Sequence, residues 1–396
     1  MLKTQNSRLT PMSGSEAVAK AVIQSNVDFA SAYPITPQTI IVERLSDLVA
    51  TGETKTAFVN VESEHSALSA CVGASLAGGR VFTATSSQGL ALMHEVLYLT
   101  SGLRCPIVMV VANRALSAPI NIHGDHSDMM GSRDSGWIQL YVENAQEAYD
   151  WTIQAYKIAE DERVSLPFTV NMDGYVITHS IEPIALIDDA EVGKFLPRRQ
   201  SQYRVDVKNP ITFGTLTLPD YYFEFKKQQD DAMRNVPEVI TEVTKKFTEL
   251  TARHYDNIVP FELNDAKVAI VSLGSASGTV RWVARNLRKK GLPVGALKIG
   301  LYRPFPHEEV GNILQNVDVV IVLERALSLG SHCGPLGSDV VCSLYNRPSQ
   351  PRVLDIVAGL GGRDLSPENI EQIFRTGLEA AKGPTGLEFE FAGVRE

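Results

Sequence analysis

The run Pro106-Ile107-Val108-Met109-Val110-Val111-Ala112 decides the fold of this chain. It has strand length, no alternation and no charged side chain, so neither face is set aside for water. That pattern belongs to a strand buried on both sides, in the middle of a parallel sheet covered by helices. Working outward, Arg80–Thr85 reads as the preceding strand and Leu166–Asn171 as a later one. Further upstream, Val27–Tyr33 forms a strand that stops at Pro34, and Thr56–Val61 forms another. Helical patterns lie between them: Ser63–Leu76, ended by Gly78-Gly79, then about Gln88–Ser101, and Ala145–Glu160. Strand and helix alternate, which predicts an α/β domain built on a parallel sheet.

The stretch from about Glu182 to Asn264 breaks this rhythm with Pro-punctuated segments and one polar helix over Asp230–His254. It reads as a linker lying on the surface plus a connecting helix, with the charged run Phe225–Arg234 as a solvated face. From Asp265 the alternation resumes. Strands are expected at Lys267–Leu273, Val294–Ile299, Val317–Leu323 and Val353–Val357, making a second, smaller α/β domain.

Composition narrows the function. The chain has 396 residues, a net charge of −9 and 44% hydrophobic residues, an ordinary globular balance for two or three domains. The acidic balance argues against a nucleic-acid partner. No apolar run reaches the roughly 18 residues of a membrane span, and Met1–Met12 has no signal-peptide core. A cytoplasmic location is the expectation. Cys71, Cys105, Cys333 and Cys342 form no CxxC pair, so they read as reduced packing thiols.

Polar, Gly- and Pro-rich segments follow four of the expected strands: Tyr33–Gln38, Glu62–His65, Ser86–Gly89 and Asn113-Arg114. Ligands of open α/β sheets sit at the carboxyl ends of strands, and four such segments at one edge point to a site. Glu64 opens a helix there. A carboxylate at that place is ordinary helix stabilisation or a hydrogen-bond partner for a cofactor ring nitrogen. Arg114 ends the most apolar strand; its planar fork suits a carboxylate or a structural ion pair. Thr36 lies between two prolines that stiffen its backbone, as a turn residue or a positioned hydroxyl. The His- and Asp-rich segment Pro119–Asp128 reads as a hydrogen-bonded active-site lid rather than a metal site. Gly330–Gly334 resembles a phosphate-cradling loop only loosely. There is no P-loop, no GxSxG elbow, and no Gly-Asp-Gly followed by Asn, the usual signature that holds magnesium and a thiamine diphosphate.

Together, Tyr33–Pro37, Ser63-Glu64, Thr85–Leu90, Ala112–Ala115, Arg133–Trp137 and Ala358–Asp364 resemble the pyruvate:ferredoxin oxidoreductase family, specifically the alpha subunit of its multi-subunit form. The resemblance spans nearly the whole chain in order. It implies a thiamine-pyrimidine-binding domain with a linker extension (residues 1–235), a connecting helix and linker (236–264), and a domain similar to the transketolase C-terminal domain (265–396). It implies thiamine diphosphate shared with a beta subunit that holds magnesium and a 4Fe–4S cluster. It further implies gamma and ferredoxin-like delta subunits or fusions of these, coenzyme A as co-substrate, ferredoxin as electron acceptor, and a dimer of heteromers. Glu64 matches the glutamate at the aminopyrimidine N1′, where a shared proton favours the imino tautomer that activates the thiazolium. Thr36 and Arg114 match residues that bind the carbonyl and carboxylate of the substrate. Pro34, Ser87 and Gln88 fall where the family contacts the cofactor.

A threonine rather than an arginine at position 36 favours pyruvate over the dianion oxalate. It leaves 2-oxoisovalerate and phenylglyoxylate open. A thiamine enzyme without ferredoxin is a second alternative, opposed by the lack of a diphosphate domain between the two expected domains. A scaffold subunit without a site is opposed by the joint presence of Glu64, Thr36 and Arg114.

Overall fold

The computed structural model describes residues 9–201, 203–381, 383 and 387–395. In chain order its strands are β1 (Leu9–Ser13), β2 (Phe29–Ala32), β3 (Ala57–Asn60), β4 (Val81–Thr85), β5 (Val108–Asn113), β6 (Ile138–Tyr141), β7 (Phe168–Asp173), β8 (Ile181–Ala185), β9 (Ile258–Phe261), β10 (Val268–Ser272), β11 (Val294–Ile299), β12 (Leu301–Arg303), β13 (Val319–Glu324), β14 (Arg352–Val357) and β15 (Leu387–Phe391). The larger sheet runs β12-β6-β7-β5-β4-β2-β3 and the smaller β15-β14-β13-β10-β11-β9; β1 and β8 pair by themselves. In the larger sheet every pairing is parallel except β12 with β6. In the smaller, only β9 runs antiparallel.

As the apolar run demanded, every residue of β5 is buried. The edge strand β3 is largely exposed. The chain steps from β2 outward to β3, then returns to lay β4 on the other side of β2. That reversal leaves a crevice at the carboxyl ends of β2 and β4, the place where open α/β sheets bind ligands.

Three differences from the sequence expectations have physical causes. The stretch 182–264 is more than a surface linker: β8 pairs with β1, β9 joins the smaller sheet, and the helix Val236–Thr251 buries Val236, Val239, Ile240, Val243 and Phe247. The single polar helix expected at 230–254 is two, Pro219–Arg234 and Val236–Thr251. Pro237 ends the first, because a proline in the first turn of one helix cannot continue the last turn of another. The helix expected over 88–101 is likewise divided, into Ser87–Leu92 and His94–Gly102.

The two sheets are joined. β12 leaves the smaller sheet's side of the chain to pair with β6. One hydrophobic cluster runs from Leu68, Leu97 and Val111 through Tyr302 to Val271 and Val322. No described helix is long and apolar enough to cross a membrane.

Candidate functional site

Glu64 is the first residue of the helix Glu64–Leu76, and the Ser63 hydroxyl caps that helix by accepting the Ser66 N–H at 3.2 Å. The cap satisfies a helix donor that the glutamate would otherwise serve. Glu64 is only 6% exposed, yet among the described residues its carboxylate receives no hydrogen bond. Gly89 explains how that state is kept. A Cβ there would lie 2.6 Å from Glu64 Oε1 and 2.6 Å from Thr85 Oγ1, a hydroxyl that is itself buried without a partner. Any larger residue at 89 would fill the cradle in front of the carboxylate. Buried polar atoms are normally paired, so the unpartnered Thr85 hydroxyl, beside a Glu64 carboxylate that receives no protein donor, marks a place for a ligand's donors.

Arg114, at the end of β5, is 7% exposed. Its Nε donates to Asn121 O at 2.9 Å and its Nη1 to Thr36 O at 2.9 Å. The guanidinium is thereby tied to the Thr36 backbone. Its Nη2 finds no acceptor among the described residues, and the Thr36 side chain is exposed at the crevice. A fork held on one side and free on the other is ready for an anion.

Beneath them lies Asp128, which motif reading did not single out. Its Oδ2 accepts the backbone N–H of Ser87 at 3.0 Å and of Arg114 at 2.9 Å, and its Oδ1 accepts Asn113 Nδ2 at 2.9 Å and Met129 N at 2.8 Å. One carboxylate thus fixes the ends of β4 and β5 together. Burial pushes its carboxyl up to about 6, against the opposing pull of Asn113, Ser87 and Arg114.

The other expected site residues fall in different roles. Ser87 is fully buried, and its hydroxyl lies 2.6 Å from both Gln88 Oε1 and Ala115 O, so it is spent within the chain. Gln88 is half-buried and reaches Ser117 O at 3.4 Å; Pro34 is exposed at the mouth. Arg114 and Thr36 are thus joined directly, Glu64 faces Gly89 at the end of β4, and Ser87 and Gln88 lie at that same strand end, with Pro34 exposed at the end of β2.

The segment 123–128 is not a free lid. Gly124, Asp125, His126 and Asp128 are buried. His126 Nε2 lies 2.6 Å from Asp173, which also pairs with Arg325 at 2.9 Å and accepts the Ser275 N–H at 2.7 Å. Burial alone would raise the Asp173 carboxyl, but Arg325 and His126 hold it well below the usual range. The Gly359–Arg363 motif docks on the same segment. Asn121 Nδ2 donates to Gly361 O at 2.9 Å, and Gly361 N donates to Asp125 Oδ2 at 3.0 Å. Side chains at Gly361 and Gly362 would collide with Asn121 and His123, and both glycines have positive φ.

Gly330–Gly334 is not a phosphate cradle either. The helix Pro335–Leu344 behind it has its amino end filled by carboxylates: Gly334 N donates to Asp355 at 2.5 Å and Gly337 N to Glu324 at 2.7 Å. Of the thiols, Cys71 and Cys105 are buried and pushed up to about 12 and about 11 by that burial. Cys342 departs from the packing expectation, being exposed. No group of three His, Cys, Asp or Glu suited to a metal occurs among the described residues.

Residues 20–245 match the family described as "Pyruvate flavodoxin/ferredoxin oxidoreductase, thiamine diP-bdg", and residues 266–370 match "Pyruvate:ferredoxin oxidoreductase core domain II". The chain is 48% identical to pyruvate synthase subunit PorA of Thermotoga maritima, over 97% of this chain and 98% of that one. It is 41% identical to ketoisovalerate oxidoreductase subunit VorA of Pyrococcus abyssi, over 91% of each. Its fold is similar to a 2-oxoglutarate:ferredoxin oxidoreductase from Magnetococcus marinus, with TM-score 0.74 and 22% identity, covering 95% of this chain and 66% of that longer one. It is similar in fold to a split-gene transketolase, with TM-score 0.55 and 14% identity, covering 93% of this chain and 99% of that one.

Proposed function

The chain belongs to the pyruvate:ferredoxin oxidoreductase family, and from that premise we propose that it binds the aminopyrimidine and the 2-oxoacid in a thiamine-diphosphate-dependent pyruvate synthase. It is a subunit of an oxidoreductase of the 2-oxoacid:ferredoxin type. The observation that carries the finer reading is the Glu64 carboxylate without a protein donor over Gly89, at the same sheet edge as the linked Arg114 and Thr36.

Thiamine diphosphate, when bound, supplies the electron sink for loss of carbon dioxide from the 2-oxoacid. The cradle that Gly89 leaves open between Glu64 and Thr85 would take its aminopyrimidine. There Glu64 holds a proton at the ring nitrogen N1′, a task that needs a carboxylate with no protein donors of its own. Arg114 binds the substrate carboxylate through its free edge, while Asn121 and Thr36 carbonyls hold the other edge. Thr36, exposed beside Arg114, would offer its hydroxyl to the substrate carbonyl. Asp128 keeps Arg114 and the Ser87 turn in register and touches neither substrate nor cofactor. Pro34 and Gln88 flank the pyrimidine.

Partner chains complete the enzyme in this proposal. The sequence has no Gly-Asp-Gly and Asn signature, so the cofactor's diphosphate and magnesium are assigned to a beta-type chain. Iron–sulfur clusters are assigned to the beta and delta chains, with a gamma chain in a dimer of such heteromers in the cytoplasm. Coenzyme A takes the acetyl group and ferredoxin takes the electrons. Within this chain, the pyrimidine-binding unit extends through the helix Val236–Thr251, whose buried stripe joins its core, and the transketolase C-terminal-like unit follows from β9 onward.

Pyruvate is the assigned substrate, since Thr36 offers no second cation for a dianion. The test is coenzyme-A-dependent viologen reduction by the anaerobically purified complex across a panel of 2-oxoacids. Preference for pyruvate is expected. Preference for 2-oxoisovalerate or an aryl oxoacid would move the specificity and keep the chemistry. No activity with any 2-oxoacid would overturn the proposal.

A further inference from the structure

Residues 219–228, the first ten of the helix Pro219–Arg234, are exposed on every side. Tyr221, Tyr222, Phe223 and Phe225 are among them, with Phe223 78% exposed. At about 100° per residue, these rings spread around more than half of the helix circumference. No single flat surface could cover them all. Just before them Val207, Ile211, Leu216 and Leu218 are also exposed. Four aromatic side chains of about 200 Å² each, more than half exposed, leave on the order of 500 Å² of apolar area in water. That equals the largest patch a typical monomer shows and is a large part of the about 800 Å² each partner gives to a standard interface.

One helix connects the arm to the site. The helix Pro219–Arg234 packs against the helix His94–Gly102. On that helix Tyr98 and Leu99 are exposed, while Val96, Leu97 and Thr100 are buried against the sheet. Its outward face continues upward to Leu92, which is half exposed and lies one turn after Gly89. Leu92, Tyr98 and Leu99 thus mark an outward face, with the exposed His94 and Glu95 among them, that leads from the aromatic helix toward the strand end that holds Glu64.

We propose that residues 206–228 are an arm enclosed by the partner chain that holds the cofactor's diphosphate, the face marked by Leu92, Tyr98 and Leu99 being the near end of the same contact. That chain is the occupant because it alone must reach the Glu64 crevice to present a pyrimidine there, and that face leads toward the same strand end. Its side of the contact is an apolar groove deep enough to take rings from several directions. The inference rests on the functional reading above, in which a separate chain holds the diphosphate.

The test is site-specific photo-crosslinking in the intact complex, with Phe223→p-benzoylphenylalanine and identification of the adduct by mass spectrometry. An adduct with the chain that carries the Gly-Asp-Gly and Asn signature is expected. An adduct with a second copy of this chain, with a cluster-bearing chain that lacks that signature, or with none overturns the proposal. A second arm uses the double change Phe223→Ser and Phe225→Ser, both in water in the isolated chain. The expected result is an unchanged circular dichroism spectrum for the chain alone and at least tenfold weaker association with the diphosphate-holding chain, about 1.4 kcal/mol or more. Unchanged association overturns it. A purified, active complex with no separate diphosphate-holding chain would instead overturn the functional reading, so the two failures are told apart.

Discussion

Glu64 and Asp128 are both buried carboxylates at the carboxyl end of the same sheet, 6% and 3% exposed. Their surroundings are opposite. Asp128 accepts four hydrogen bonds and joins two strand ends. Glu64 accepts none among the described residues, and Gly89 keeps the space before it open. Burial does not tell a structural carboxylate from a functional one; the balance of donors does. A carboxylate left unpaired in a dry place costs stability. Such a cost persists where a ligand's donor removes it. The two residues should therefore fail in different ways.

The largest expected effect is at Glu64. Glu64→Gln keeps the shape and removes the proton acceptor. Activity of the complex should fall by about 10²–10⁴, the usual contribution of one proton-transfer group, with no loss of thermal stability. Near-wild-type viologen reduction would show that Glu64 is not the cofactor's proton partner. Next is Arg114→Lys. It exchanges a fork held at Thr36 and Asn121 for a single point charge. Loss of charge-assisted hydrogen bonds worth about 1.5–3 kcal/mol corresponds to a KM for the 2-oxoacid raised roughly 10–100-fold, with a smaller change in kcat. An unchanged KM would remove Arg114 from substrate binding. Asp128→Ala should invert the Glu64 pattern. It leaves the buried N–H groups of Ser87, Arg114 and Met129 without an acceptor and should lower stability by at least about 2 kcal/mol. A stability equal to wild type would mean that the carboxylate does not hold the strand ends.

Sequence showed one half of this contrast and hid the other. The crevice was legible because each strand is followed by its own polar or Pro-rich segment, and Ser63-Glu64 reads as a helix start. The central strand β5 announced itself by an apolar run without alternation. Asp128 was hidden because its partners Ser87 and Arg114 lie 41 and 14 residues away, joined only when β4 and β5 pair. Gly89 appeared only as the end of the polar segment Ser86–Gly89; its meaning needs Glu64 carried across from β3. The short β12 gave no signal at all, since three residues cannot display a period. The helix Val236–Thr251 was taken for a connection because charged residues such as Lys245 and Lys246 mask a buried stripe at Val236, Val239, Ile240, Val243 and Phe247. Gly361 and Gly362 belonged to a visible motif, but only the docked segment 121–125 gives the reason for it.

A third carboxylate sharpens the comparison at a smaller scale. Asp355 is fully buried, accepts one bond, from Gly334 N, and leaves Oδ1 without a partner beside Glu324. Burial pushes Asp355 from 3.8 up to about 6, and burial with the neighbouring Asp355 charge raises Glu324 well above its ordinary value. It lies between the two extremes, bonded on one side and bare on the other, with no ligand in the proposed function to relieve it. A carboxyl whose folded value is raised binds its proton more tightly in the fold than in the unfolded chain. Its favourable contribution is fully present below about 3.8 and is lost as the pH rises through about 6. Asparagine cannot ionise, keeps an oxygen for Gly334 N, and turns a donor toward Glu324. Asp355→Asn should therefore stabilise the chain by about 1–3 kcal/mol near pH 8, and the gain should shrink as the pH is lowered toward 5. Urea midpoints measured across that range give the slope. A gain that does not change with pH, or a loss near pH 8, would mean that Asp355 is not held protonated by its burial.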